Sequence, residues 1–285
     1  MTGQGRPLLD LDLRGWWLTA FLAVDAIGIA ALWLRIRTRL PWRELPMPWD
    51  RLASFAITLF AIRVTLLALL GWKLAIPHWR GFTWDPSLAR LDAALHGGMT
   101  PDRWLLPWVE PWLPAIDWIY SSTWYALLAA VTLWAGWSRS SRYLLASTLA
   151  WIILGIVVAT AFASAGPCYF TSLGYGDTYE PLMQTLRRQD LSALAIQAEL
   201  WRTYQGAPTS VVAGISAFPS LHLALPTLYA LAFRRLRWAF VGYLLVTLLG
   251  SIVLGWHYAV DGYAGILGGW GCWWLAGKIR PSGAR

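Results

Sequence analysis

The residues best suited to chemistry in this sequence are two histidines, His222 and His257. Asp261 follows His257 by four residues, so on a helix the carboxylate could hold one ring nitrogen while the other points outward. An imidazole oriented in this way can act as a nucleophile or a base. His222 follows Pro219 and Ser220, where the start of a helix would leave free N–H groups able to bind an anion.

These residues together predict the metal-free cleavage of a phosphate ester. One imidazole attacks phosphorus, a second protonates the leaving oxygen, and hydrogen-bond donors hold the non-bridging oxygens. We therefore expect His257 to be the nucleophile, Asp261 to orient it and His222 to be the acid, with no metal and no cofactor. The alternative is a purely structural role: a helix-end pair for His257 and Asp261, and a packing role for His222.

The composition indicates a polytopic membrane protein. The chain has 285 residues, of which 57% are hydrophobic and 13% charged, and its mean hydropathy is +0.47, values too apolar for a soluble core of this size. Its 22 tryptophans fit the headgroup level of a bilayer. The net charge of +8 is explained by an inner face that meets anionic lipid, so a membrane lipid is the expected partner and nucleic acid is not.

The apolar segments predict an all-α transmembrane bundle of six to seven spans. A span needs roughly 20 apolar residues, and seven candidates are found at 16–34, 52–74, 115–137, 143–164, 219–233, 238–256 and 262–276. The first follows acidic residues and has no small-residue cleavage site, so we expect it to remain as an anchor. This gives an anchor span and basic loop over 1–51 and a catalytic membrane domain over 52–285.

Basic residues collect on one side of this arrangement and predict that this side is cytoplasmic. They are Arg35, Arg37, Arg39, Arg43, Arg51, Arg139, Arg142, Arg234, Arg235, Arg237, Lys278, Arg280 and Arg285. Both histidines then lie at the extracytoplasmic face. Short loops rich in Trp and Arg fit a bacterial inner membrane, and the oligomeric state stays open.

The outer segments predict two further features. Residues 85–96 carry Leu88, Leu91 and Leu95 at helical spacing, which indicates an amphipathic helix in the membrane interface, bordering the mouth of the site. A second helical stretch is expected over 181–204. Cys168 and Cys272 would lie several turns apart in depth, so no disulfide is expected.

The sequence around both histidines resembles the type 2 phosphatidic acid phosphatase superfamily, and in particular its inositol phosphorylceramide synthase branch. The resemblance covers about 160–270 and rests on the runs Phe218-Pro219-Ser220-Leu221-His222 and His257-Tyr258-Ala259-Val260-Asp261. It implies a phosphohistidine at His257, oriented by Asp261, with His222 protonating the leaving group. It also implies transfer of an inositol phosphate-like headgroup to an alcohol acceptor such as ceramide.

The sequence departs from the family pattern where phosphate-gripping cations are usual. The first signature block, with its Lys and Arg-Pro, has no match, and Gly166, Pro167 and Tyr169 stand there instead, as in the synthase-like branch. We expect Arg90, Arg187 and Arg188 to replace the cations, with Tyr169 and Tyr175 as hydrogen-bond donors and Ser220 within the binding block. For each of these arginines the alternative is a solvated surface.

Two pairs of polar residues have simpler interpretations. Asp25 and Arg63 lie within predicted spans, where an unpaired charge costs about 3 kcal/mol, so we expect them to pair. His78 and His96 show no metal-ligand spacing and are expected at the surface.

Two other functions remain open: a lipid phosphate or prenyl pyrophosphate phosphatase, and a transporter or lipid-binding protein in which His257 and Asp261 bind a proton or ligand.

Overall fold

The fold is known from a computed structural model that describes residues 33, 35–39, 49–207 and 214–279. The described residues are largely helical and contain no strand, which confirms the all-α class. Within 49–279, the described α-helices are α1 (Trp49–Arg80), α2 (Asp85–Leu95), α3 (Pro101–Val109), α4 (Leu113–Trp118), α5 (Trp124–Ser138), α6 (Ser141–Leu149), α7 (Ala159–Ala161), α8 (Glu180–Leu186), α9 (Ser192–Tyr204), α10 (Leu221–Ala232), α11 (Arg237–Val253) and α12 (Ala259–Ile279).

Two helical runs of the described residues are long and apolar enough to cross a membrane. They are Asp50–Arg80 and Ser141–Ala161, which contain most of the predicted spans 52–74 and 143–164. Helices α10 and α11 are apolar but have only 12 and 17 residues, less than the roughly 20 that a bilayer core requires. The count of six to seven spans is therefore not confirmed. The anchor predicted at 16–34 lies almost wholly outside the described residues. Asp25 is also outside them, and with it the expected pairing of Asp25 with Arg63.

Two of the helical runs contain a π-helical stretch. A π-helical stretch over Ile119–Thr123 joins α4 to α5, and another over Ala150–Val158 joins α6 to α7. Such stretches displace side chains from regular helical positions and are frequent at functional sites. Here they place Tyr120, Ser121 and Gly155 along one cavity.

Small residues allow α10 and α12 to lie in close contact. A Cβ at Gly265 would meet the carbonyl oxygen of Ser220 at 2.2 Å, and one at Gly269 would meet that of Ala224 at 2.6 Å. Glycine at these positions therefore brings the two backbones together, as small residues do between membrane helices. The backbone N–H of Ser220 also donates to the carbonyl of Asp261 at 3.0 Å. This contact joins the start of α10, which bears His222, to the start of α12.

The expected amphipathic helix is present as α2, but it packs differently from the leucine pattern. Leu88 is buried, whereas Leu91 and Leu95 are 48% and 60% exposed. The packed side of α2 includes two carboxylates, Asp85 and Asp92, both buried. Their burial is possible because each accepts several hydrogen bonds from neighbouring segments. The helical stretch expected over 181–204 is divided into α8 and α9.

Candidate active site

Both histidines line one cavity of about 210 Å³. Its wall is formed by α1, the two π-helical stretches, α5, α9, the start of α10, the turn before α12 and the segments 165–169 and 214–219. The ring centroids of His222 and His257 lie 6.1 Å apart. The residues around the cavity include Lys73, Tyr120, Ser121, Tyr125, Ala165, Tyr169, Ile196, Leu200, Pro219, Leu221 and Trp256.

His257 lies in the turn between α11 and α12, and not on a helix as the spacing predicted. Asp261 is in the first turn of α12 and is completely buried. The turn nevertheless places His257 Nδ1 3.4 Å from Asp261 Oδ2. That same oxygen accepts a hydrogen bond from the Tyr258 N–H at 3.0 Å, which fixes the carboxylate beside the imidazole. The turn therefore brings the imidazole and the carboxylate together, with no hydrogen bond made by Nδ1 among the described residues.

Burial keeps the imidazole of His257 neutral. Removal from water lowers the pKa of His257 to about 3, the positive charge of Lys73 acts in the same direction, and a backbone hydrogen bond to Ala217 opposes both. A neutral ring retains the lone pair that a nucleophile needs.

His222 is held by aromatic rings. It lies in the first turn of α10, after Ser220 at the N-cap position, in agreement with the predicted helix start. Its ring stacks on Trp124 with centroids 4.2 Å apart and on Tyr120 at 4.9 Å. These contacts fix the plane of the imidazole and direct it to the same cavity as His257.

The loop at Gly166 and Pro167 supports the His257 turn from behind. Gly166 has φ +103°, and a Cβ there would meet the carbonyl oxygen of Trp256 at 2.4 Å. Its N–H donates to Asp85 at 2.8 Å, so this donor is already used within the protein. Pro167 is buried at the start of a short 3-10 turn. Ala165, next to them, is the residue of this loop that reaches the cavity.

The two tyrosines expected to donate to phosphate are engaged elsewhere. The Tyr169 hydroxyl donates to the carbonyl of Gln197 at 3.0 Å, although the ring lines the cavity. The Tyr175 hydroxyl donates to the carbonyl of Phe82 at 2.9 Å, and Tyr175 does not line the cavity. Neither hydroxyl is free to donate to a phosphate in this arrangement, so other groups must donate to it.

None of the three arginines proposed from sequence lines the cavity. Arg90 donates to Ser87 on its own helix at 3.3 Å. Arg187 pairs with Glu180 at 2.7 Å on the surface, and Arg188 is exposed beside it. The solvated-surface interpretation describes all three.

Lys73 supplies the positive charge that sequence reasoning missed. It is the one Lys or Arg along the cavity among the described residues. Lys73 is partly buried on α1 where Gly214 lies against it, and a Cβ on that glycine would meet Lys73 Cβ at 2.4 Å. A lysine near the end of an apolar span is easily interpreted as an anchor at the membrane surface, because its long side chain can reach the headgroups. Only its three-dimensional neighbourhood connects it with the histidines.

Neutral donors complete the site. The hydroxyl of Tyr120, the indole N–H of Trp256 and the hydroxyl of Ser220 are buried and have no hydrogen-bond partner among the described residues. Tyr120 and Trp256 line the cavity, and Ser220 lies between Pro219 and Leu221, which also line it. Unpaired buried donors are costly unless a ligand satisfies them. They can therefore contact the oxygens of a bound phosphate.

The cysteines and the two other histidines considered in the sequence do not line this cavity. Cys168 and Cys272 are free thiols, as expected, and burial raises the pKa of the Cys168 thiol well above its usual value. His78 is exposed, whereas His96 is partly buried and its Nε2 lies 2.9 Å from the Tyr263 hydroxyl. No group of histidine, cysteine and carboxylate residues suited to a metal occurs among the residues described.

Comparison with known proteins gives one match. A family model described as the PAP2 superfamily matches residues 86–275, about two thirds of the chain. The matched range contains both histidines and Asp261, while Lys73 precedes it. No curated protein and no solved structure matches the chain.

Proposed function

Since the chain belongs to the PAP2 superfamily, whose members are lipid phosphatases and phosphotransferases, we propose that it is a membrane phosphotransferase acting on a phospholipid. The donor is a phosphodiester lipid, and the group transferred is its phosphorylated headgroup, as in inositolphosphotransferases. The observation that carries this proposal is the placement of His222, His257 and a single lysine, Lys73, around one cavity.

In the first step His257 attacks the phosphorus of the donor. Nδ1 faces Asp261, so Nε2 is the nitrogen that forms the new N–P bond. The bond from phosphorus to the lipid oxygen breaks, and His222 gives its proton to that oxygen, releasing the lipid alcohol. Asp261 stabilises the positive charge that develops on the His257 ring. The headgroup phosphate is then bound covalently to His257.

In the second step the acceptor alcohol replaces the histidine. His222, now neutral, removes the proton from the acceptor hydroxyl, whose oxygen attacks phosphorus while the N–P bond breaks. The product is a new phosphodiester, and both imidazoles return to their starting protonation states. Water as acceptor would instead give hydrolysis. The apolar and aromatic wall around the cavity, including Ile196, Leu200 and Leu221, favours a lipid acceptor over water.

The charge of the site favours a diester donor over a monoester. Lys73 and protonated His222 supply two positive charges and Asp261 one negative charge, so the site is matched by the single negative charge of a phosphodiester. Tyr120 and Trp256 can donate to the non-bridging oxygens without adding charge. A phosphate monoester carries about two negative charges at neutral pH, and a diphosphate carries more. Excess charge in a partly buried site costs free energy unless it is paired. The site is therefore better matched to a phospholipid headgroup than to phosphatidic acid or a prenyl pyrophosphate.

The direction of the helices supports an extracytoplasmic site. Lys73 lies near the end of α1, and the segment Ala150–Val158 lies near the end of its run, so both long runs approach the cavity after starting beside Arg51 and Arg142. The later helices α10, α11 and α12 also have the site at one end and basic residues at the other. By the positive-inside rule those basic ends face the cytoplasm.

The test uses the full chain purified in detergent with EDTA present. Phosphatidylinositol with ceramide, phosphatidylinositol alone and phosphatidic acid are each incubated with the protein, and free phosphate and lipid products are followed, with His257→Ala as control. A new phospholipid formed from the diester donor, without phosphate release and dependent on His257, is the expected result. Phosphate release from phosphatidic acid instead would make the protein a phosphatase. No His257-dependent product from any donor, with folded protein, would favour transport or lipid binding.

A further inference from the structure

The segment from Trp256 to Asp261 sets the geometry of the nucleophile, and four of its six backbone N–H groups are satisfied by residues 251–261. The N–H groups of Trp256 and His257 donate to the carbonyl of Ser251, and that of Asp261 donates to the carbonyl of Tyr258. The Tyr258 N–H donates to the side chain of Asp261. Two N–H groups remain, those of Ala259 and Val260 at the start of α12.

Asp92 of α2 accepts both of these remaining hydrogen bonds. Its Oδ2 lies 3.0 Å from the N–H nitrogen of Ala259, and its Oδ1 lies 3.0 Å from that of Val260. The carboxylate is 1% exposed, so water does not substitute for it. Asp92 thus occupies the place of a helix cap, but it comes from another helix, and it fixes the turn that brings Asp261 to His257.

Asp85, two turns earlier on α2, holds the other side of the same segment. Its Oδ1 accepts from the Tyr258 hydroxyl at 2.8 Å and from the Gly166 N–H at 2.8 Å, and its Oδ2 accepts from the Ala165 N–H at 2.9 Å. The Gly166 loop lies directly against the carbonyl of Trp256. One buried carboxylate therefore joins the loop behind the site to the residue next to His257.

We propose that Asp85 and Asp92 are positioning residues that hold the segment 256–261 so that Asp261 faces His257 and His257 faces the phosphorus. This rests on the proposed function, since it assigns them a part in that reaction. Neither residue lines the cavity or touches substrate. Their effect must therefore appear in the rate of attack by His257 and not in substrate binding.

Asparagine is the sharpest substitution at Asp92. It is nearly isosteric, but its amide nitrogen would face one of two N–H groups that both need an acceptor. The start of α12 would then shift. A misplacement of the order of 1 Å can reduce a reaction rate about 100-fold.

The matched control is Asp102→Asn. Asp102 is also buried, in the first turn of α3, and it does not line the cavity. Its thermal unfolding measures what the change of a buried aspartate to asparagine does to stability away from the segment 256–261.

The experiment follows attack by His257 directly. The probe is dodecyl 4-nitrophenyl phosphate, a phosphodiester whose release of 4-nitrophenolate needs no acid, so the initial burst reports formation of the N–P bond. The full-length wild-type protein is compared in detergent with Asp92→Asn, Asp85→Asn, Tyr258→Phe, Asp102→Asn and His257→Ala. Thermal midpoints are measured on the same samples.

The expected result is a fall in kcat of about 100-fold for Asp92→Asn, with KM changed by less than about threefold. Tyr258→Phe, which keeps the ring and removes only the contact with Asp85, should reduce kcat roughly tenfold with little change in thermal midpoint. Asp102→Asn should retain kcat within about threefold at a comparable loss of stability.

Three outcomes separate the two proposals. If wild type releases no more 4-nitrophenolate than His257→Ala, the proposed function fails. If wild type reacts and the variants at Asp92 and Tyr258 react equally fast, the positioning role is overturned. If Asp92→Asn is unfolded, Tyr258→Phe decides, because unchanged kcat in that variant contradicts the role and a tenfold fall with native stability supports it.

Discussion

His222 lies on α10 and His257 in the turn before α12, and their ring centroids lie 6.1 Å apart along one cavity, with ring planes at 52°. Both imidazoles can therefore contact one bound phosphate group. The relationship assigns different tasks to the two rings, because only His257 has a carboxylate behind it. The two roles can be separated by changing the leaving group.

His222→Ala should lose about 100- to 10,000-fold in rate on a natural phospholipid, because an alkoxide leaving group needs a proton. It should retain most of its activity on dodecyl 4-nitrophenyl phosphate, since nitrophenolate leaves without one. His257→Ala should be inactive on both. Rates on the two donors, measured with folded proteins, check this. Equal losses for His222→Ala on both donors would remove it from the role of acid.

Lys73→Met should lower kcat/KM for the diester donor by about 100-fold. The phosphate would lose its contact with the one Lys or Arg side chain along the described part of the cavity. Arg187→Met is the matched control, since Arg187 is exposed and pairs with Glu180 away from the cavity. It should leave kcat/KM within about twofold of wild type. A loss in Arg187→Met with no loss in Lys73→Met would restore the arginine assignment made from sequence.

The sequence identified the residues that lie together better than those that hold them in place. His222, His257 and Asp261 could be singled out because each lies in a local pattern, within one turn or beside a helix start. Lys73 and Asp92 could not, because their relation to the histidines depends on how α1 and α2 pack against segments far along the chain. A buried aspartate next to three leucines also looks, in sequence, like the polar face of a surface helix.

The three arginines assigned from sequence lie outside the cavity for a related physical reason. Arg90, Arg187 and Arg188 were chosen by their position in outer segments, but a long charged side chain avoids burial unless partners pair it. Those partners, Ser87 and Glu180, are local and keep Arg90 and Arg187 outside the cavity. The positions of the apolar helices were better predicted than the number of membrane spans. Hydropathy identifies an apolar helix but does not show whether it is long enough to cross a membrane.

Gly265→Ala should destabilise the protein by about 1–3 kcal/mol, because the added methyl group would meet the carbonyl oxygen of Ser220 at 2.2 Å and separate α10 from α12. The same change at Gly271, on the same helix, meets nothing within 4 Å. Gly271→Ala should be neutral or stabilise by up to about 1 kcal/mol. Thermal midpoints in detergent check both variants, and equal midpoints would contradict the close approach.

His257 should make the stability of the protein depend on pH. In the folded protein burial lowers its pKa to about 3, whereas an exposed imidazole has a pKa of about 6.5. Between these values the unfolded chain binds a proton that the folded chain does not. The free energy of unfolding therefore falls as the pH drops through this window and is unaffected by this group above it.

His257→Gln removes the titrating group, so its thermal midpoint should fall less than that of wild type between pH about 7.5 and about 5. The other titratable groups are the same in both proteins, so the difference between the two curves reports the loss of His257. Parallel curves would mean that His257 is not buried in the neutral form.

Cysteine labelling on intact cells tests the orientation of the site. Native Cys168 is a poor reporter, because burial raises its thiol pKa and little thiolate is present at neutral pH. Arg188 and Arg235 are exposed at opposite ends of the helices, so Arg188→Cys and Arg235→Cys are made in a background with both native cysteines replaced by alanine. A membrane-impermeant maleimide should label Arg188→Cys in intact cells and Arg235→Cys only after permeabilisation. The reverse pattern would place the cavity, and with it the source of donor and acceptor lipids, in the cytoplasmic leaflet.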